Sequence, residues 1–238
     1  MNLPHKFLPE FPLGWEMSAA EQFVLAGVLE RLRPEVALEI GTFQGGSLQV
    51  LSRFAGTVFS IDSDPRVQER LAPLFPGVRF HIGPSRDMIP AAFARMRDSG
   101  MRLGFALVDG DHSAAGVRDD VELILRLAPA DALHILIHDS YNPDCRRGLR
   151  AVRWEEFPEV RLVDLDFVPG GFHSRARGGA FARSMWGGFA RIETLPGRRE
   201  GSILFGDSQQ EQHDIVFRHS AHRLWHKVLR RFRSLPRR

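Results

Sequence analysis

The run Ala37-Leu-Glu-Ile-Gly-Thr-Phe-Gln-Gly-Gly-Ser47 constrains this chain more than any other stretch. A short apolar strand closes on an acid, and a glycine-rich turn then opens a helix. Glycine tolerates positive φ, and a helix that starts after such a turn directs unpaired N–H groups at whatever lies above it. Alone, the arrangement is a cradle for a nucleotide-like ligand or a tight turn with no ligand. Gly41 and Gly45 stand as Gly-x-x-x-Gly, which departs from the Gly-x-Gly-x-x-Gly of dinucleotide turns.

Around this run, short apolar segments alternate with helical ones. Ser18-Ala-Ala-Glu21 has the capping-box pattern, and Phe23, Val24, Val28, Leu29 and Leu32 follow at helical spacing, giving a helix over 18–32 that stops near Pro34. Strands are expected at Val36–Ile40, Thr57–Ile61, Val78–Ile82, Gly104–Val108 and Leu133–Ile137, with helices near 47–55, 65–73, 86–98, 114–127 and 145–154. Val160–Phe167 and Met185–Thr194 read as two further strands, an antiparallel edge pair. The expected fold is α/β: a doubly wound, Rossmann-like, mostly parallel seven-stranded sheet with an antiparallel edge strand, both faces covered by helices. Ligands of such sheets sit at the carboxyl ends of the strands. The glycine-rich segment 169–180 reads as a loop able to lie over a pocket.

Composition narrows the class. With 238 residues and 43% hydrophobic content the chain can bury one substantial core. The one cysteine, Cys145, excludes an internal disulfide and a cysteine-rich metal cluster and suits a reducing cytoplasm. Prolines interrupt the first residues, so no signal-peptide core is expected. The net charge of +3 is uneven. Residues 217–238 hold eight Arg and Lys and no acid, and removing those eight leaves 24 basic residues against 29 acidic ones. The basic character therefore belongs to a tail and not to a nucleic-acid-binding face. Three parts follow: an arm over 1–17, a main domain over 18–196, and an extension over 197–238 with a basic amphipathic helix at 220–238. That helix packs on the domain or a second subunit, lies on an anionic membrane surface, or stays a solubilising end.

Polar residues gather at the expected strand ends. Asp62 closes the second strand and can accept hydrogen bonds from both hydroxyls of a ribose, or cap the helix near Pro65. The third strand ends in Gly83-Pro-Ser-Arg-Asp-Met-Ile-Pro90, the fourth in Asp109-Gly-Asp-His-Ser113, and the fifth in His138-Asp-Ser-Tyr141.

These segments resemble class I S-adenosylmethionine (SAM)-dependent methyltransferases. Glu39 to Ser47 is similar to the Glu-x-Gly-x-x-x-Gly-x-Ser turn of catechol and caffeoyl-CoA O-methyltransferases. Gly83 to Pro90 is similar to the catechol type's Gly-x-Ser-x-Asp-x-x-Pro. The Asp-Gly-Asp-His and His-Asp-Ser endings resemble the methyltransferase-24, macrocin O-methyltransferase and cephalosporin-hydroxylase-like branch. The resemblance spans about residues 15–155 and implies SAM as cofactor. It places Ser85 and Arg86 against the adenine, with Ser85 otherwise a helix cap, and Glu39 near the methionine portion or the turn backbone. The implied cofactor set is Glu39, Gly41, Thr42, Phe43, Gly45, Ser47, Asp62, Ser63, Ser85, Arg86, Asp109, Asp111 and His112.

Asp109, His138 and Asp139 are the implied metal ligands, for Mg²⁺ or Mn²⁺. His138 stands where relatives carry an acid, so its imidazole either binds a metal or replaces one. Asp109, His112 and His138 form the implied catalytic group, the two histidines as general bases or structural hydrogen-bond partners. Asp111 contributes to the site or anchors its own loop, and Asp119 and Asp120 read as the solvated face of the following helix. The expected activity is O-methylation of a hydroxyl on a sugar, glycoside or natural product. The alternatives are a SAM-binding protein without methyl transfer and, third, a nucleic-acid methyltransferase, against which Asp109-Gly-Asp-His112 stands in place of Asn-Pro-Pro-Tyr.

Overall fold

The computed structural model describes residues 11–128, 132–173 and 183–223. Helix α1 (Ala19–Leu32) opens on the expected capping box: Ser18 Oγ accepts from the Glu21 N–H, and the Glu21 carboxylate accepts from the Ser18 N–H. It ends on Arg33 in the left-handed region, directly before Pro34. Its buried stripe is Glu21, Leu25 and Leu29, spaced by four. Phe23, assigned to the apolar face by the spacing, is 48% exposed.

The alternation then follows in order: β1 (Val36–Ile40), α2 (Gly46–Phe54), β2 (Thr57–Asp62), α3 (Pro65–Leu71), β3 (Val78–Ile82), α4 (Ser85–Asp98), β4 (Leu103–Val108), α5 (Ala114–Leu127), β5 (His134–His138) and α6 (Pro143–Ala151). Beyond them lie β6 (Val160–Val168), β7 (Gly171–His173), β8 (Ser184–Trp186), β9 (Phe189–Thr194), β10 (Leu204–Gly206) and α7 (Gln210–His219).

Eight strands make the main sheet in the order β10-β6-β9-β5-β4-β1-β2-β3, and β7 and β8 form a separate hairpin. The run from β3 to β5 is parallel; β9 is antiparallel to both β5 and β6. The antiparallel strand thus lies inside the sheet, between β5 and β6, and β10 pairs with β6 at the rim. The expected Met185–Thr194 strand is two pieces: Gly187 and Gly188, both at positive φ, end β8 and start β9 in the other sheet. Leu204–Gly206 joins this same sheet, so the segment after 196 completes the domain's edge.

Side chains alternate across the sheet as a two-residue period requires. In β1, Val36, Leu38 and Ile40 enter the core shared with α4, α5 and α6, while Ala37 enters the core shared with α1, α2 and α3. Glu39 follows Ala37's side and faces α2. The topology reverses between β1 and β4, and there the backbones nearly touch. Gly41 sits at φ +87°, and a Cβ on it would lie 2.0 Å from the Asp109 carbonyl oxygen. Glycine is required here on both counts.

Candidate functional site

At the carboxyl ends of these strands opens a cavity of about 1300 Å³. One half is walled by the β1 turn and the ends of β2 and β3. Asp62 holds this wall together: its Oδ2 accepts from the N–H groups of Thr42 and Phe43, each at 3.0 Å, and its Oδ1 from Asp64 N–H at 2.9 Å. The cap of α3 is Asp64, accepting from the Arg66 N–H. Asp62 is therefore released from capping and faces the cavity beside Gly41, Phe43 and Ser63.

Glu39, Thr42, Gly45 and Ser47 stand behind the turn and do not line the cavity. Ser47 Oγ donates to Glu39 Oε1 at 2.5 Å, and Thr42 Oγ1 pairs with Ser60 Oγ at 2.6 Å. Burial pushes the Glu39 carboxyl up to about 7, against the opposing hydrogen bonds. Its Oε2 has no partner among the described residues. These four residues brace the cradle from inside.

Ser85 does not cap α4, whose N-cap is Pro84. Its Oγ donates instead to Asp120 Oδ1 at 2.6 Å. Asp120 is not on a solvated face. It is 3% exposed, burial pushes its carboxyl up to about 6, and its Oδ2 is unpartnered among the described residues. The spacing Val117, Asp120, Val121, Ile124 is the inward stripe of α5 and could have identified it. Arg86 is exposed at the cavity rim and pairs loosely with Asp87. Asp119 is exposed beside Arg118. Asp111 folds back on its loop, accepting from Ser113 N–H at 2.9 Å and Ser113 Oγ at 2.8 Å.

The other half of the cavity ends in a charged cluster at the tips of β4 and β5. His138 Nδ1 lies 3.1 Å from Asp109 Oδ1 and 3.8 Å from Asp139 Oδ2. His112 Nε2 lies 2.8 Å from Asp139 Oδ2 and 3.4 Å from Asp109 Oδ1. Ligand atoms of Asp109, His138 and Asp139 all fall within 4.8 Å of one another. Asp139 holds φ at +56°, unusual for a residue with a side chain, and its Oδ1 accepts from the Gly187 N–H.

A fifth residue of the cluster comes from α1. Glu21, 2% exposed, accepts from the Gly188 N–H and sets its Oε1 3.2 Å from His138 Nε2, off the line of a hydrogen bond. The sequence marked Glu21 only as half of a capping box, although its place in the Glu21–Leu25–Leu29 stripe points it inward.

The neighbouring carboxylates raise the pKa of both imidazoles. Hydrogen bonds to Asp109 and Asp139 raise His112 to about 10. His138 is raised well above the usual histidine range, the Asp109 charge and its hydrogen bond outweighing burial. Both shifts favour the doubly protonated rings, and a cation among the carboxylates would compete with those protons.

Pro169, Gly170, Gly171, His173, Trp186 and Gly187 also line the cavity. The glycine-rich loop read over the pocket thus begins on the cavity wall, and its residues 174–182 lie outside the described part. The expected basic helix lies outside it from 224 onward. Just before, His222 Nε2 accepts from the Met185 N–H. No helix among the described residues is long and apolar enough to cross a membrane.

Residues 38–140 match the family described as a methyltransferase domain, methyltransferase-24. The O-methyltransferase of Bacillus cereus in complex with SAH overlays 75% of this chain and 82% of its own length, at TM-score 0.53 and 17% identity. TomG of Streptomyces achromogenes, an O-methyltransferase involved in tomaymycin synthesis and in complex with SAM, overlays 75% of this chain and 81% of its own, at TM-score 0.54 and 19% identity. At these identities the likeness is one of fold. A UDP-N-acetylglucosamine–N-acetylmuramyl-(pentapeptide) pyrophosphoryl-undecaprenol N-acetylglucosamine transferase of Ralstonia nicotianae is 31% identical over 134 residues, 48% of this chain. The alignment spans only 36% of that protein's length, so the match is local.

Proposed function

We propose that this chain, whose residues 38–140 match the methyltransferase-24 domain, binds SAM and methylates a hydroxyl of a small molecule, with a divalent cation held by Asp109, His138 and Asp139. The observation that carries this reading is the two-ended cavity. Its volume of about 1300 Å³ exceeds the roughly 300–1,000 Å³ of a site for one drug-sized ligand, leaving room for donor and acceptor together.

The donor half supplies what a nucleoside needs. Asp62 is fixed by three backbone N–H groups, so its remaining lone pairs are pre-aimed at ribose hydroxyls without further ordering. Ser85 and Arg86 stand at the far wall. Bound SAM would supply a sulfonium methyl for in-line transfer to oxygen. The residues' part is to hold acceptor and donor in line and exclude water, which accounts for much of the acceleration in reactions of this kind.

The acceptor half lies among Trp186, His173 and the charged cluster. A cation there would lower the pKa of a bound hydroxyl. The donor set fits one: two carboxylates and an imidazole from adjacent strand tips converge on a common point. The cavity's acids include Glu16, Asp62, Asp109, Asp111, Asp119 and Asp139, while among the described residues Arg86 is the only arginine or lysine that lines it. The acidic share of that described lining favours an uncharged or cationic acceptor.

Titration of the full chain with SAM by calorimetry tests the donor half. Wild type should bind, and Asp62→Ala should weaken binding about tenfold or more, the scale of losing charged hydrogen bonds, while the domain stays folded by circular dichroism. Equal affinity in the two proteins would refute the ribose role. Methyl transfer to a panel of sugars, glycosides and phenols, with and without chelator, then tests the acceptor half.

A further inference from the structure

We propose that the cluster at the tips of β4 and β5 selects a first-row transition dication, of the Mn²⁺, Fe²⁺, Co²⁺ or Zn²⁺ type, over Mg²⁺, with His112 as a fourth donor beside Asp109, His138 and Asp139. This rests on the reading that the cluster takes a divalent cation, and it names which kind and by which atoms.

Spacing is the first argument. A cation with ligands at about 2.1 Å places neighbouring donors about 3.0 Å apart in an octahedron and about 3.4 Å apart in a tetrahedron. The four contacts that join the two imidazoles to the two carboxylates run 2.8, 3.1, 3.4 and 3.8 Å. Ligand atoms of Asp109, His138 and Asp139 converge within 4.8 Å of one another, and His112 stands outside that group, within reach of both carboxylates.

The second argument is what holds those donors from behind. A metal-binding imidazole commonly has its other nitrogen turned to a carboxylate, which fixes the ring. His138 turns Nδ1 to the cluster and Nε2 toward buried Glu21. Asp139 spends Oδ1 on the Gly187 N–H and leaves Oδ2 to the cluster. His112, 39% exposed, reaches in from the cavity side with its ring edge-on to Trp186. Asp139 thus keeps its outward oxygen tied, and His138 keeps its outward nitrogen beside a buried carboxylate.

Donor chemistry then chooses the ion. Mg²⁺ prefers oxygen and retains its waters, whereas imidazole nitrogen suits the first-row metals, whose affinities also rise along the Irving–Williams order. Two imidazoles and two carboxylates make a poor Mg²⁺ cage and a good one for the later ions.

The test uses the full chain stripped with chelator, titrated calorimetrically with Mn²⁺, Co²⁺, Zn²⁺ and Mg²⁺, and pulsed electron paramagnetic resonance of the Mn²⁺ form. Mn²⁺ should bind at least about tenfold more tightly than Mg²⁺ and show nitrogen coupling from two imidazoles. His112→Gln should remove one of those couplings and weaken Mn²⁺ about tenfold with little effect on Mg²⁺. His138→Asp should narrow the gap between the ions. Because His138 is buried, His112→Gln on the cavity side decides the matter if that variant fails to fold. Equal Mg²⁺ and Mn²⁺ affinity, or Mn²⁺ bound without nitrogen coupling, overturns the selectivity and leaves the divalent-cation reading standing. No binding of any of the four ions overturns both, and SAM binding measured on the same samples still reports separately on the donor half.

Discussion

Glu39 shows how much a single atom's surroundings decide. Its neighbours in β1 are apolar, its side chain faces α2, and only Ser47 and the turn meet it. The folded carboxyl titrates near 7 against an ordinary value of 4.5, so the folded chain holds this proton more tightly than the unfolded chain. Between those values stability falls as pH rises, and the loss is complete above the folded value. A shift of that size is worth on the order of 3 kcal/mol. Glu39→Gln, uncharged throughout, should lack that slope. Urea denaturation at pH 5, 6 and 7 would show the difference between the two proteins growing with pH, and parallel curves would refute it. Asp120 and Glu21 illustrate why such residues escape a reading of sequence. Each is a charged residue on the buried stripe of its helix, and charge argues for solvent more strongly than spacing argues for burial. Asp62, Asp109 and Asp139 were legible because a strand end in a parallel sheet already locates them.

The elements were readable wherever one physical signal dominated. Apolar runs of five or six residues gave β1 to β5, and the capping box at Ser18 gave the start of α1. Past residue 155 the signals weaken. Gly187 and Gly188 lie inside what looks like one apolar strand, and only their positive φ divides it. Leu204–Gly206 is too short to announce a strand, and the stripe of α7 holds one buried residue, His213. What fixes α7 is polar. Arg146 of α6, 1% exposed, pairs with Asp166 of β6 at 2.8 and 3.2 Å and donates through Nε to Gln210 at 2.7 Å. The Gln209 N–H donates to Asp166 as well. Asp166→Ala strands a buried guanidinium, and breaking one partner of such a pair costs about 3–5 kcal/mol. Denaturant midpoints should fall accordingly. A loss below about 1 kcal/mol, the scale of a surface pair, would show that the contact is not holding α7.

Across the whole molecule the cavity divides into halves built from different parts of the chain. The donor wall comes from β1, β2, β3 and the turns that follow them; the cluster draws on α1, β4, β5 and the β8–β9 turn. The halves should therefore fail independently. Glu21→Gln should weaken Mn²⁺ binding about 10–100-fold, as loss of an outer partner does, and leave SAM affinity unchanged. A parallel fall in SAM affinity would show the halves to be coupled. Glu21 also accepts from Gly188, 167 residues further along the chain. A ribosome has released the cradle for the donor long before it releases Gly188. A nascent chain can thus have a place for the donor before it has a finished place for the ion, and α1 is fastened to the site only once Gly188 has been made.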